Sequence, residues 1–298
     1  MARTRRGSLS PPHRWTEIGN GWAGVGVAFL TEEEPPRGVL LPVLPGIGRV
    51  VAPNAGPMTY HGTNTYLIEE SDGLTLLDPG PDDERHIEAV ARACGGRLRR
   101  ILVSHTHSDH FGATAAIQAA TGAEICAFHP TADAGFEPGV GLRDGNRIGG
   151  FTAIHTPGHA ADHQCFAFAN GILFSGDHVM AWSSTVVSPP GGDMAAYMQS
   201  LNRLLERSDL IYLPGHGPQL RNPHLHVRDL IAHRRKREAA IEQALSGTGQ
   251  TATQVADILY AKENPRLRRA AERNVLAHLI KLEGEGRARQ VGEVWTAP

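Results

Sequence analysis

The chain has 298 residues, 41% of them apolar, and a formal net charge of −2. That length fits one large domain plus a small one, and the apolar share is that of an ordinary globular protein, which argues against a disordered or fibrous chain. No apolar run approaches the roughly 20 residues that cross a bilayer, so no membrane partner is expected. The three widely spaced cysteines, Cys94, Cys126 and Cys165, argue against a disulfide framework and for a cytoplasmic location.

In chain order, residues 1–35 read as a flexible extension, basic and rich in small residues as far as Pro12. Residues 36–221 read as the main domain. Within it, 39–51 is apolar and interrupted by prolines, and 65–69 and 74–78 form a hairpin around Glu70-Ser71-Asp72-Gly73. A helix is predicted over 82–94 and a second over 111–121, with strands at 101–103 and 124–128. A third helix, 194–207, turns Met198, Leu201, Leu204 and Leu205 inward. Residues 222–298 read as a linker helix over 223–245 followed by a small domain. That domain has a helix at 251–261 with Val255, Ile258 and Leu259 apolar, a helix at 271–285, and a short hairpin over 287–296. Residues 1–221 hold 16 Lys and Arg against 22 Asp and Glu, whereas 222–298 hold 13 against 9. A basic appendage on an acidic domain suggests RNA or another polyanion as partner. Nothing in the sequence fixes a homo-oligomer.

The apolar run Ile101-Leu102-Val103 ends in Ser104-His105-Thr106-His107-Ser108-Asp109-His110. In an extended loop His105 and His107 point the same way and can share one metal ion, while Asp109 and His110 can face a second. Divalent metals such as zinc take nitrogen and carboxylate ligands of this kind. Further candidates follow other strands. They are His159 after Thr156-Pro157-Gly158, Asp177 after Ser175-Gly176, and His216 after Leu213-Pro214-Gly215. Ligands carried on strand ends can converge at one sheet edge although they lie far apart in sequence.

These four motifs, with Leu76-Leu77-Asp78-Pro79-Gly80 before them as a fifth, resemble the metallo-β-lactamase fold superfamily. The resemblance implies an αββα sandwich with His105, His107 and His159 on one metal, Asp109, His110 and His216 on a second, and Asp177 bridging. Asp78 would brace the histidine loop rather than bind metal. Gly62-Thr63-Asn64-Thr65, Ser175-Gly176-Asp177-His178, His233-Arg234, Arg237-Glu238 and the segment Leu276–Gly286 resemble the β-lactamase-like protein 2 family. That family carries a winged-helix-like domain, and an animal member acts on single-stranded RNA. Arg266, Arg268, Arg269 and Arg273 would then flank the start of the last helix, which enters a groove in DNA-binding folds.

The expected activity is therefore that of a dinuclear zinc hydrolase, with Mn2+ or Fe2+ as other possible ions. Asp109 and Asp177 are the carboxylates nearest the chemistry. Two close metals activate water at neutral pH and neutralise charge on the attacked oxygen. Single-stranded RNA or another phosphodiester is the first-guess substrate. A small ester, thioester or lactone is the alternative, and a non-catalytic nucleic-acid-binding module is a third reading. His61, His163 and His178 are candidate proton donors by proximity in sequence. Ser183-Ser184-Thr185 could meet substrate or form a turn, and Asn64 is read as structural support.

Overall fold

The computed structural model describes residues 27–245, 247, 249–261 and 267–298. Two sheets face each other. The first has seven strands in sequence order. These are β1 (Leu41–Leu44), β2 (Ile47–Val51), β3 (Asn64–Glu70), β4 (Gly73–Leu77), β5 (Leu98–Val103), β6 (Glu124–Phe128) and β7 (Val140–Leu142). The second runs β13-β12-β11-β10-β9-β8, from β8 (Arg147–Ile148), β9 (Phe151–His155), β10 (Gln164–Phe168), β11 (Ile172–Gly176), β12 (Ile211–Pro214) and β13 (Leu220–Arg221).

Period-two alternation sorts each strand's side chains between layers. Tyr66, Ile68, Leu102, Phe151, Phe166 and Phe174 meet between the sheets. Leu67, Leu76, Ile101 and Val103 turn outward beneath α1 (Glu84–Cys94) and α3 (Thr114–Thr121). Leu173 and Tyr212 turn outward beneath α4 (Met194–Leu205) and α5 (Pro223–Ala244). The result is an αββα sandwich with a core on both faces of each sheet.

Several elements differ from their sequence-based outlines. The helix predicted over 111–121 is two helices, α2 (Ser108–Phe111) and α3. The Gly80 N–H takes the His110 carbonyl, and the Gly80 carbonyl takes the Ala113 N–H, so the helical ladder is intercepted between them. Residues 27–35, assigned to the flexible extension, run extended against the sandwich. Leu30 N–H donates to the Ala181 carbonyl, and the Glu32 carboxylate pairs with Arg49 at 2.6 Å. Residues 1–26, the rest of that extension, lie outside the described residues.

The second domain contains α6 (Ala252–Leu259), α7 (Arg268–Gly284) and a sheet ordered β14-β16-β15, made of β14 (Gln250–Thr251), β15 (Arg289–Val291) and β16 (Val294–Thr296). The predicted hairpin is present, and β14 adds a third strand that two residues are too short to signal. Val255, Val275, Leu279, Leu282 and Trp295 form its core, but Ile258 is exposed. The 22-residue α5 is more than a linker. Val227, Leu230 and Ile231 join the sandwich core, and one end further along Ile241 joins the second core. Among the described residues no helix is long and apolar enough to cross a membrane.

Candidate metal centre and the cleft above it

The seven sequence-predicted ligands converge at one end of the sandwich. β5 delivers the loop bearing His105 and His107, and α2 turns Asp109 and His110 back beside it. β9, β11 and β12 end just before His159, Asp177 and His216. The inward nitrogens His105 Nε2 and His159 Nε2 stand 3.0 and 2.9 Å from His107 Nδ1. On the other side His110 Nε2 is 3.3 Å from His216 Nε2, which is 3.3 Å from Asp109 Oδ2. Asp177 lies between the groups. Its Oδ1 is 3.5 Å from His110 Nε2, and its Oδ2 is 3.4 Å from His216 Nε2 and 3.7 Å from His159 Nε2.

Backbone geometry makes this convergence possible. A Cβ on Gly215 would stand 2.6 Å from both Asp177 Oδ1 and His110 Cε1, so any larger residue fills the space between the ligands. Asp78, in a left-handed conformation at φ 53°, is buried at the heart of the support. Its carboxylate accepts the Ser104 N–H and hydroxyl, each at 2.8 Å, and stands 2.9 Å from His110 Nδ1. Asn64 donates to the Pro214 and Gly217 carbonyls at 3.0 and 2.9 Å and thereby ties β3 to the His216 loop.

The outer ring nitrogens of four histidines are occupied by protein groups. His110 Nδ1 faces Asp78, His105 Nδ1 faces Ser104 Oγ at 3.0 Å, His159 Nδ1 faces the Val186 carbonyl at 2.8 Å, and His216 Nδ1 faces the Gly62 carbonyl at 3.3 Å. Each such contact leaves the inner nitrogen as the one that can face a cation. Inner nitrogens about 3.3 Å apart, as in His110 and His216, match the edges of a tetrahedron with zinc–nitrogen bonds near 2.1 Å. The buried Asp177 Oδ1 has no hydrogen-bond partner.

Charge in the centre is divided. Burial and the neighbouring imidazoles push His105 well below the ordinary histidine range and His107 down to about 4, so both are neutral donors. Burial opposes charge on His110, yet Asp177, Asp109 and Asp78 raise it well above that range. His216 rises to about 9 against its burial for the same reason, chiefly through Asp177. Protons on these two rings answer a carboxylate cluster that calls for cations. The donor set therefore fits a pair of divalent ions.

A cleft of about 210 Å3 opens above His159 and Asp177. Met180, Trp182 and Val186 line its floor, and α5 and α7 roof it with Arg237, Ala270 and Asn274. The segment after Asp177 joins floor to roof. Asn274 Oδ1 accepts the Val187 N–H at 3.0 Å, Arg273 Nε donates to Ser188 Oγ at 2.9 Å, and the Arg234 guanidinium donates to the Thr185 carbonyl. Thr185 Oγ1 in turn donates to the Asp177 carbonyl at 2.6 Å. Of the serine–threonine run, Ser183 and Ser184 line the cleft, while Thr185 is spent on this tie.

Of the arginines expected at the start of the last helix, Arg273 binds Ser188, Arg268 pairs with Asp257, Arg269 is exposed, and Arg266 lies outside the described residues. The three candidate proton donors differ in their surroundings. His163 is buried, with Nδ1 against Thr156 and Nε2 accepting the Asp177 N–H. His178 is fully buried against the Tyr197 ring, with no hydrogen-bond partner at either ring nitrogen, and His61 Nε2 faces the Glu32 carbonyl at 3.1 Å.

Residues 58–216 match the metallo-beta-lactamase superfamily model, and residues 251–295 match the beta-lactamase associated winged helix domain. The chain belongs to the metallo-beta-lactamase superfamily. It is 31% identical over 264 residues to the beta-lactamase-like protein 2 homolog of Drosophila melanogaster, covering 81% of this chain and 89% of the relative. It is 27% identical over 222 residues to an atrochrysone carboxyl ACP thioesterase of Claviceps purpurea, covering 70% and 68%. A beta-lactamase domain protein from Burkholderia ambifaria superposes with a TM-score of 0.77 at 22% identity, covering 89% of this chain and 95% of that one. A superfamily protein solved in a di-iron-bound form matches with a TM-score of 0.51 at 30% identity, covering 59% and 95%. This superfamily hydrolase thus carries its winged helix as the roof of its own cleft. Sequence motifs pointed to His233, Arg234 and Arg237 as family marks but gave them no role. Only the return of α5 over the cleft reveals one.

Proposed function

We propose that the protein is a dinuclear metal-dependent hydrolase, with zinc as the fitting ion, and that its substrate is a small acyl thioester or ester. The observation that carries this reading is the roofed cleft of about 210 Å3. That volume lies below the roughly 300–1,000 Å3 of drug-sized sites, and its floor is largely apolar. Its cations are few, because Arg234 is bound to Thr185 and Asn274 and no arginine of α7 lines it. An RNA strand calls for a basic track alongside stacking platforms; the cleft has aromatic rings in Phe29, Trp182 and Tyr260 but only Arg234 and Arg237 as cations in its lining.

The leaving group supports the same choice. The histidines next to the ligands are poor proton donors to an alkoxide: His163 is engaged at both ring nitrogens, and His178, whose ring nitrogens have no hydrogen-bond partner, is fully buried and pushed by that burial down to about 3. A thiolate, with its parent thiol near pKa 8.5, departs without that help. Divalent ions held by the seven side chains supply Lewis acidity and water activation at neutral pH. Asp177 holds both halves of the centre together, Asp78 fixes the ring of His110, and the Thr185–Val187 segment orients His159 through the Val186 carbonyl. Met180, Trp182 and Val186 exclude water from the acyl group. The thioesterase names among the relatives agree with this reading, although they describe those proteins.

The test is a substrate panel on metal-loaded protein: butyryl-N-acetylcysteamine, a short lactone and labelled single-stranded RNA, each against Asp177→Ala. Thioester turnover that disappears in the variant is the expected result. RNA cleavage dependent on Asp177, with no thioester turnover, replaces this reading with the nuclease one.

A further inference from the structure

Among the described residues, one cation in the roof of the cleft has no acidic partner. Arg237 lies one helical turn after His233 on the same face of α5, and both line the cleft. Its guanidinium carbon stands 4.1 Å from the centre of the Tyr260 ring. That contact with the ring restrains the guanidinium and spares it part of the entropy cost of binding. No carboxylate among the described residues pairs with Arg237. The contrast with its neighbours is sharp. Arg234 is bound to Thr185 and Asn274, Lys281 to Glu238, and Arg287 to Glu238 and Glu242. A half-buried guanidinium in a cavity wall, with no carboxylate on it among the described residues, is a recognition device for a planar or tetrahedral anion. Beside it, burial and the cations Arg234 and Arg237 push His233 down to about 4, so that ring is neutral and adds a hydrogen-bonding group without competing charge.

We infer that Arg237, backed by Tyr260, selects a substrate whose end remote from the scissile bond carries a carboxylate or a phosphate. The inference rests on the hydrolase reading above and deepens it. The acyl carbonyl lies at the metal ligands on the floor, and the anion reaches the roof. Arg237 acts on specificity and is not asked to touch the reacting atoms.

Two matched pairs test it on the full metal-loaded chain. Glutaryl- and glutaramoyl-N-acetylcysteamine differ only by the terminal carboxylate. Butyryl-pantetheine with and without its 4′-phosphate differs only by that group. In one pair KM for the anionic member should be about tenfold lower than for the neutral member, the scale of one charge-assisted hydrogen-bonded contact. That advantage should vanish in Arg237→Gln and partly persist in Arg237→Lys, with kcat for the neutral members unchanged in both variants. The pair that responds identifies the anion. Equal KM within both pairs, or an advantage that survives Arg237→Gln, overturns the inference. A second readout needs no turnover: glutarate should raise the melting temperature more than valerate does, and Arg237→Gln should abolish the difference. If no thioester is hydrolysed but that difference is seen and then lost, the anion site stands and the reaction assignment falls. If thioesters are hydrolysed without any difference, the reverse holds.

Discussion

Two clusters of buried charge sit about the same fold, and they are finished in opposite ways. In the winged-helix domain Glu238 receives Lys281 at 2.9 Å and Arg287 at 3.0 Å, and Arg287 also holds Glu242 at 2.7 Å. Acid and base close on each other. At the metal centre three carboxylates and five imidazoles converge with no lysine or arginine among them, and Asp177 Oδ1 is left without a partner. Buried charge is costly unless it is paired. The first cluster is therefore a structural clasp, complete in itself, and the second calls for cations from outside.

The largest effect that separates them comes from Asp177. Replacing it with Ala removes the group shared by both halves of the centre. Metal content measured by mass spectrometry should fall from two ions per chain, and turnover should drop by about three orders of magnitude. An Asp177→Ala protein with two tightly held ions would merge the two clusters into one type. Gly215→Ala should have nearly the same outcome by crowding, because its Cβ would stand 2.6 Å from Asp177 Oδ1 and His110 Cε1.

Asp78→Asn acts one step further out. It keeps the size of the side chain and weakens the hold on Ser104 and His110, so metal affinity should fall about 10–100-fold with little change in fold. A competition titration with a chelator reads this directly.

The clasp responds to acid instead of to chelators. Burial tends to raise Glu238, but His278 and Lys281 outweigh it and bring its carboxyl down to about 2 from 4.5. A depressed folded-state pKa contributes stability that is present above the unfolded value and lost as pH falls through the folded one. Between pH 4.5 and 2 the stability gap between wild type and Glu238→Gln should therefore close. Fluorescence of Trp295, buried in that domain's core, is the probe. At neutral pH the variant should cost about 1–3 kcal/mol, below the 3–5 of a fully buried broken pair. The smallest effect belongs to Arg268→Ala at the exposed pair with Asp257, within about 0.5 kcal/mol of wild type by thermal unfolding.

The sandwich and its candidate ligands were legible because those residues follow apolar strands at their ends or after a short turn, a local pattern that repeats along the chain. Asp78-Pro79-Gly80 was readable as support, but its interception of the helical ladder at Gly112 was not, since that depends on hydrogen bonds reaching across some thirty residues. Asp162 escaped notice altogether. It accepts the Thr106 hydroxyl at 2.6 Å and the Ala132 N–H at 2.9 Å, and no spacing rule links those positions.

Periodicity and motif order, then, determined the fold class, the two-domain arrangement of elements and the inventory of candidate ligands, because strands and helices write their buried faces into consecutive residues. What the second domain does was decided only in three dimensions. Its charge count suggested a surface for polyanions. The path of α5 lays part of it over the candidate metal centre, where Arg234 is spent on the Thr185 carbonyl, while Lys281 and Arg287 close on Glu238 and Glu242. Net charge is a sum over residues, whereas the capacity to bind depends on which charges remain unpaired after packing.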